Sequence, residues 1–443
     1  MTDLKALATH VFLESLRAIE PGSRIKEKLR VDDGILSFGG RQIAVDRYSE
    51  VVLIGMGKAS VMMGAAVEAL LGDRIKRGIL VTNHRYNIDV RSEVLVAGHP
   101  LPDSESLRAG QEIVGLVQSC SADSLIVFLI SGGGSSLVEL PTSPEISLDD
   151  LRATNELLIS CGANIQEINV IRKCLSKIKG GRLGHLARES GRVGLYISDV
   201  NPDDIRSIAS NPLLSEPAAG DAFFAVLDKY KLMERLPASV VRRIDQGNMS
   251  RSGVEEQSAD EGLLTLLLMD NGDALNAAAE VAGKLGFHAE VDRSLIEGDY
   301  VSVADESIKR LLSLRSRVAG PVCLISGGEV SCPVRAKGAG GRNQEFVLYS
   351  AVRLAHLGIG NGAAVLSCGT DGIDGNSSAA GAVADGNLTE RATQLGEDPS
   401  SYIRANDSYT FFKKMGGLVV TGPTGNNVRD VRVLMAKPTS KGG

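Results

Sequence analysis

SLIVFLISGGGSSLVEL, residues 124–140, runs from an unbroken apolar segment straight into three glycines and two serines. Residues 125–130, LIVFLI, carry no polar side chain, which suits a strand buried on both faces, as in a parallel sheet. A glycine turn that follows without a spacer can bring several backbone amides to one side. Such a nest cradles an anion. An ordinary glycine-rich turn is the plain alternative. The stretch lacks the G-x-x-x-x-G-K-[ST] and G-x-S-x-G patterns, so neither a P-loop nor a hydrolase elbow is indicated.

The strand-then-polar-turn pattern recurs on both sides. VVLIGMGKAS (51–60), RGILVTN (77–83), EVLVAG (93–98) and GRVGLYISDV (191–200) all share it. Helical patterns lie between them, such as DDLRATNELLISCG (149–162), where Leu151, Leu157, Leu158 and Cys161 recur near the helical period. Strands alternating with helices predict an α/β fold with a largely parallel sheet and ligands beyond the strand carboxyl ends. A polar excursion, QGNMSRSGVEEQSADEG (246–262), reads as a boundary. A second series follows, with PVCLISGG, GAAVLSCGTDGIDGNSSAAGAVAD and GGLVVTGPTGNNVRDVRVLMA. The expectation is two α/β lobes, at 1–245 and 246–443, with the site in the cleft between them.

A chain of 443 residues is long enough for two or three domains. Aromatics at 4%, with no Trp, leave few platforms for stacking bases, and a net charge of −6 provides no field for a polyanion. Nucleic acid is therefore not an expected partner. No apolar run approaches membrane-spanning length, so no membrane is expected either. The six cysteines form no C-x-x-C, and the opening MTDLKALATHVFLESLRAI reads as an amphipathic helix carrying acids. Reduced thiols and a cytoplasmic location are the expectation.

Six further stretches carry candidate chemistry. In GMGKAS, Lys58 sits at a helix start, where the macrodipole favours anions; a bound anion between Lys58 and the amides would resolve that conflict. A solvated lysine is the alternative. The pattern departs from G-x-G-x-x-G at Ser60, so a dinucleotide site is weakly signalled. IRKCLSKIKGGRLG (171–184) carries Arg172, Lys173, Lys177, Lys179 and Arg182, with Lys173 and Lys177 on one face if the helix persists. Asp199, Asp203 and Asp204 follow one strand, and Asp371 and Asp374 another. Each could hold Mg²⁺ through water and phosphate, accept a hydroxyl proton, or cap a turn. KGAGGRNQE (337–345) places Arg342 behind glycines, where its fork suits a carboxylate or a transferring phosphoryl group. His99, in AGHPLPDS, either joins the substrate or ties its turn.

In combination and order, VVLIGMGKAS, AGHPLPDS, LISGGGSSL, NVIRKCLSKIKGGRLG, YISDV, ISGGEV, KGAGGRNQEFVL, CGTDGIDG and TGPTGNNVRD resemble the MOFRL-type, or type II, glycerate 2-kinases. The resemblance runs from about residue 51 to 430. It implies transfer of the ATP γ-phosphoryl group to the 2-hydroxyl of D-glycerate, with Mg²⁺ or another divalent cation. It also implies a larger Rossmann-like parallel-sheet domain at 1–245 and a smaller α/β MOFRL-type domain at 246–443. A monomer or homodimer is expected. Lys58, Arg342 and Asp371 fall on the family's catalytic positions. Gly132, Gly133, Gly134, Ser135 and Ser136 fall on the family's phosphate cradle. Lys177, from the basic cluster, is expected at the nucleotide as well, with a solvated surface as the plain alternative. Asp199 and Asp371 fall on metal binding. Some relatives carry an older hydroxypyruvate reductase label, and an NAD(P)H-dependent hydroxypyruvate reductase is the enzyme alternative. A non-catalytic sugar-acid binder, supported only by Pro202 and Asn211, is the other.

This chain departs from the family pattern at three places. Pro202 replaces a glycine in SDVNPD, which fixes φ and removes an amide donor. SNPLL stands for SGPT, with Asn211 at the glycine and Leu213 at the threonine. Cys174 stands where a histidine is usual. These changes bear on the binding geometry around residues 199–213.

Overall fold

Twelve strands build the two main sheets of the computed structural model, which describes residues 3–200, 205–215, 220–245, 260–294 and 296–438. The first sheet contains β1 (Glu50–Met56), β2 (Ile75–Thr82), β3 (Glu93–Val96), β4 (Ser124–Ile130), β5 (Gly191–Ile197) and β6 (Leu263–Met269), in the order β3-β2-β1-β4-β5-β6. β1 pairs in parallel with β2 and β4, β2 with β3, and β4 with β5. All seven residues of β4 are buried, as the unbroken apolar run requires. Val52, Ile54 and Met56 of β1 pack in one core with Ile126, Phe128 and Ile130 of β4. A separate helical cluster, with Leu158, Ile171 and Phe223 at its centre, is built from the helices between β4 and β6.

The second sheet is mixed. It contains β7 (His288–Asp292), β8 (Val322–Ser326), β9 (Ala363–Gly369), β10 (Gly381–Asp385), β11 (Leu418–Val419) and β12 (Asp430–Ala436), in the order β7-β8-β12-β9-β10-β11. Only β7 and β8 pair in parallel; β12 lies antiparallel between β8 and β9. That brings the carboxyl ends of β8 and β9 to the amino end of β12, with Ser326 opposite Arg432 and Gly369 opposite Asp430.

The chain divides into two compact units, Pro21–Leu268 and Met1–Glu20 with Met269–Gly443. This differs from a division at 245 in two ways. β6 lies beyond the polar excursion yet completes the first sheet. The amino-terminal helix α1 (Leu4–Ala18) packs in the other unit, against the helix Asn271–Lys284 and strands β9, β10 and β12. Its buried residues, Leu4, Ala8, Val11, Phe12 and Ser15, lie along one helical stripe. Lys5 reaches Asp385 at 3.0 Å, and Asn426 donates to the carbonyl of Ile19 at 2.7 Å. Periodicity revealed that α1 has an apolar face; it carried no information about which distant strands would cover it.

Phe12 is fully buried in this packing. Phe12→Ala should cost about 3–5 kcal/mol. Hydrogen exchange should then show the lost protection in residues 269–438, with residues 21–268 little changed; the reverse pattern would place α1 in the other unit.

Candidate active site

In the first unit the site begins where β1 and β4 end side by side. The amide of Ser131 donates to the carbonyl of Met56 at 3.0 Å, and the amide of Lys58 to the carbonyl of Gly132 at 2.9 Å. The Ser131 hydroxyl accepts from the amide of Ala59 at 3.1 Å. The two turns are thus laced together, so Lys58 and the glycines form one constellation. Gly57 permits it: its φ is +127°, and a Cβ there would fall 2.1 Å from the Ser131 hydroxyl.

Gly133 has φ +83° and starts the short helix Gly134–Leu137. A Cβ on Gly133 would lie 3.0 Å from the ring of His99 and 3.3 Å from the Lys58 side chain. His99 therefore stands over the glycine turn beside Lys58, rather than only tying its own loop. The amides of Gly133 and Ser135 have no acceptor among the described residues, while those of Ser136 and Leu137 are used by the turn itself.

The basic segment behaves differently from its helical reading. The helix Ile165–Leu175 ends before Lys177, and Ser176 is extended at φ −108°, ψ 141°. Ser176 bridges to Pro141, and the amide of Lys177 donates to the carbonyl of Leu140 at 2.7 Å. Lys173 and Lys177 consequently do not share a helix face; Lys177 is exposed and Lys179 is buried. Lys179 donates to Glu139, the penultimate residue of LISGGGSSLVEL. Burial pushes the Lys179 ammonium down from its ordinary range, against the pull of the Glu139 carboxylate. This buried pair escaped the sequence reading, since a Glu and a Lys 40 positions apart share no periodic signal.

The departure at SNPLL acquires a physical meaning. Ala209, Ser210 and Asn211 have φ of +50°, +57° and +54°. Three consecutive left-handed non-glycine residues cost about 1–2 kcal/mol each. The carbonyls of Ser210 and Asn211 accept from the amides of Gly180 and Gly181 at 3.1 and 2.7 Å. Asn211 also uses its amide group on both the N–H and the carbonyl of Leu214. It does here what a glycine would do, and adds a turn cap. The Ser210 hydroxyl lies 2.8 Å from that of Ser135. Asp199 is half-buried just after β5. Pro202, Asp203 and Asp204 lie outside the described residues.

In the second unit the loops after β8 and β9, the start of β12 and the helix α2 (Arg342–His356) meet at one sheet end. The N-cap of α2 is Gly341, which has no side chain to cap it. Asp374 supplies the cap from another loop. Its Oδ1 accepts from the backbone and side-chain amides of Asn343 at 3.1 and 3.2 Å, and its Oδ2 from those of Gln344 at 2.9 and 3.0 Å. A Cβ on Gly341 would fall 2.3 Å from Asp374, so the glycine marks close packing rather than a loose lip. Burial raises the Asp374 carboxyl to about 6 against the pull of these donors. Asp371 is half-buried, and its Oδ1 accepts from the amide of Ile373 at 3.1 Å, the geometry of a turn cap.

Arg342 is already engaged by protein. Its Nε and Nη2 donate to Asp430 at 2.7 and 2.9 Å, and Nη2 lies 3.1 Å from Glu329. The forked edge expected to face a ligand is therefore occupied by Asp430, which is fully buried. Burial opposes the Arg342 charge, but the Asp430 carboxylate overrides it and holds the guanidinium above its ordinary range. Behind this pair, Arg432 is fully buried, donates to Ser326 and Gly327, and lies 5.7 Å from the ring of Phe346.

The two acids of CGTDGIDG should thus separate experimentally. Asp374→Ala should lower stability in urea by about 2–3 kcal/mol through loss of the helix cap, whereas Asp371→Ala should stay within about 1 kcal/mol. Equal losses would show that capping is not what distinguishes them.

Comparison with known proteins places this geometry. Residues 7–245 match the domain described as a domain of unknown function (DUF4147), and residues 322–430 match the MOFRL family. The glycerate 2-kinase of Pyrococcus horikoshii is 34% identical, across 100% of this chain and 99% of that protein. The D-glycerate 2-kinase of Thermotoga maritima is 34% identical across 97% of each. A relative in Agrobacterium vitis, 40% identical over 87% of this chain, carries a provisional hydroxypyruvate reductase name. The crystal structure of the Thermotoga maritima glycerate kinase superposes with a TM-score of 0.81 at 32% identity, covering 98% of this chain and 99% of that one. Matched in both parts and along its whole length, the chain belongs to the MOFRL-type glycerate kinase family.

Proposed function

We propose that this protein is an ATP-dependent glycerate 2-kinase, transferring the γ-phosphoryl group of ATP to the 2-hydroxyl of D-glycerate to give 2-phosphoglycerate and ADP. The observation that carries this reading is the laced turn at Gly57–Ala59 and Ser131–Leu137, where Lys58 and His99 stand over the uncommitted amide of Gly133. Phosphoryl transfer asks a protein mainly for position and charge neutralisation, which such a turn offers.

In this reading the amides of Gly133 and Ser135 hold nucleotide phosphate, together with the hydroxyls of Ser135 and Ser136. Lys58 neutralises and aligns the transferring group. Lys177 is exposed and free of the Glu139 pairing that holds Lys179, so it is the basic residue suited to steering the nucleotide. Arg342 serves one of the two anions, the glycerate carboxylate or the transferring group. Because its forked edge rests on Asp430, it acts through Nη1, which has no acceptor among the described residues.

The donor set suits a divalent ion carried chiefly by phosphate and water. Among the described residues no three His, Cys, Asp or Glu side chains gather as a metal cage. Mg²⁺ commonly takes one or two carboxylates and leaves the remaining positions to phosphate and water. Asp371 and Asp199, each just after a strand, are the carboxylates proposed for that task. The ion would supply neutralisation of phosphate charge.

A reductase reading would need a dinucleotide turn after β1. That turn is GMGKAS, with Ser60 where the fingerprint has its third glycine. Among the described residues no helix is long and apolar enough to cross a membrane.

The deciding experiment follows ADP release with D-glycerate and identifies the phosphorylated carbon by NMR. Oxidation of NADPH by hydroxypyruvate is followed in parallel. Reduction without phosphorylation would defeat the kinase reading. Lys58→Ala should lower kcat by about 100-fold or more with the melting temperature retained. Gly133→Val forces a branched side chain to φ +83° and against His99. It should weaken ATP by about tenfold or more while glycerate affinity holds, as read by calorimetry with each ligand alone.

A further inference from the structure

Arg172, on the helix Ile165–Leu175, stands where the segments around the glycine turn of the first unit converge. Its Nε donates to Oδ1 of Asn155 at 2.7 Å. Three positions before Asn155 on the helix Leu148–Ser160, Arg152 donates through Nε and Nη2 to the carbonyl of Pro102, at 3.1 and 2.8 Å. That helix face therefore borders the AGHPLPDS turn, whose His99 stands over Gly133. Asn169, one turn before Arg172, accepts from the Ser210 hydroxyl at 3.4 Å, and Ser210 lies 2.8 Å from Ser135. On the remaining side is Glu139, at the exit of the glycine turn, whose carboxylate acts on Arg172.

The charges at this place do not balance. Glu139 is the one carboxylate among the described residues that acts on Arg172, and both its oxygens are spent. Oε2 accepts from the buried Lys179 ammonium, and Oε1 from the amide of Leu140 at 3.0 Å. Two cations thus share one carboxylate. Burial is the main cause that lowers the Lys179 ammonium, and the Arg172 guanidinium adds to it. Burial also lowers Arg172 itself, by more than Glu139 restores. A desolvated cation without its own counter-charge is costly, and folded proteins normally pair it. Arg172 is half-buried rather than sealed, and its Nη1 and Nη2 have no acceptor among the described residues. Asn155 fixes the guanidinium at Nε and leaves the two η nitrogens as an open fork.

That fork selects among anions. A phosphate has oxygens enough to meet a guanidinium on one side and backbone amides on the other, whereas the two oxygens of a carboxylate are filled by the fork alone. We infer that Arg172 is a further phosphate-binding residue of the glycine turn, holding a nucleotide phosphate through Nη1 and Nη2. The inference rests on the kinase reading above. It adds a fixed side-chain charge to the amides of Gly133 and Ser135, and the phosphate supplies the counter-charge that Glu139 cannot.

The test is calorimetric titration of the full chain with ATP and Mg²⁺, and separately with D-glycerate. Arg172→Gln removes the charge and the fork. It should raise the Kd for ATP about tenfold or more and leave the Kd for D-glycerate within about twofold. Arg172→Lys keeps the charge without the fork, so it should still bind ATP at least about threefold more weakly than the parent. An unchanged Kd for ATP in Arg172→Gln, or a loss shared equally by D-glycerate, overturns the assignment.

A second measurement needs no substitution, so it holds even if the variants fold poorly. Phenylglyoxal modifies accessible arginines, and mass spectrometry of the peptides reads each one. ATP should slow modification of Arg172 and leave the exposed Arg17 and Arg404 unchanged, while D-glycerate should not protect Arg172. Protection by D-glycerate, or by neither ligand, also overturns the assignment. If the parent binds ATP and phosphorylates D-glycerate but Arg172 fails these tests, only its role is wrong. If the parent neither binds ATP nor phosphorylates D-glycerate, the kinase reading and the role of Arg172 fall together.

Discussion

One carboxylate organises the second unit. Asp374 accepts four hydrogen bonds from Asn343 and Gln344, and through them fixes where α2 begins. Arg342 is the first residue of that helix, so its guanidinium is placed by a group it does not touch through any hydrogen bond. Asp430 then takes its forked edge, and Arg432 lies behind Asp430 in the same buried layer. A loop, a helix and a strand start are held together by charge and hydrogen bonding at the end of one sheet. The apolar core beneath, with Leu324, Val365 and Leu434, supplies the rigid support.

The first unit reaches a comparable result through backbone. The ends of β1 and β4 are joined amide to carbonyl, and the left-handed run Ala209–Asn211 is clamped by the glycines of KGGRLG. Strain of that kind persists only where surrounding contacts over-determine the local conformation. Here the clamp holds Ser210 against Ser135, at the edge of the glycine turn.

Much of this was legible in the amino-acid sequence because it is local. The strand at 124–130, the turn after it and the matching pattern at VVLIGMGKAS follow from apolar runs and glycine placement. What escaped depends on pairs far apart in the chain. Asp371 and Asp374 look alike in CGTDGIDG, and only packing against Gly341 makes the second one the helix cap. Arg342 read as a ligand clamp because its partner stands 88 positions away. Lys177 read as helical because Ser176 gives no strong stop signal; its extension came from the bridge to Pro141. Glu345 sits in GGRNQE near the more conspicuous arginine, and nothing in the pattern announces that its carboxylate would be buried.

The docking of α1 has a consequence for how the molecule is made. The hydrogen bond from Asn426 to Ile19 spans 407 positions. The continuous stretch 21–268 can collapse as it leaves the ribosome, since its sheet needs nothing from later residues. The helix at 4–18 must wait, its apolar stripe uncovered, until β12 has been synthesised. Closing so long a loop is slow rather than prohibitively unfavourable, because its entropy grows only logarithmically with length. The apolar stripe of the helix at 4–18 is therefore covered only after β12, far downstream in the chain, has been made.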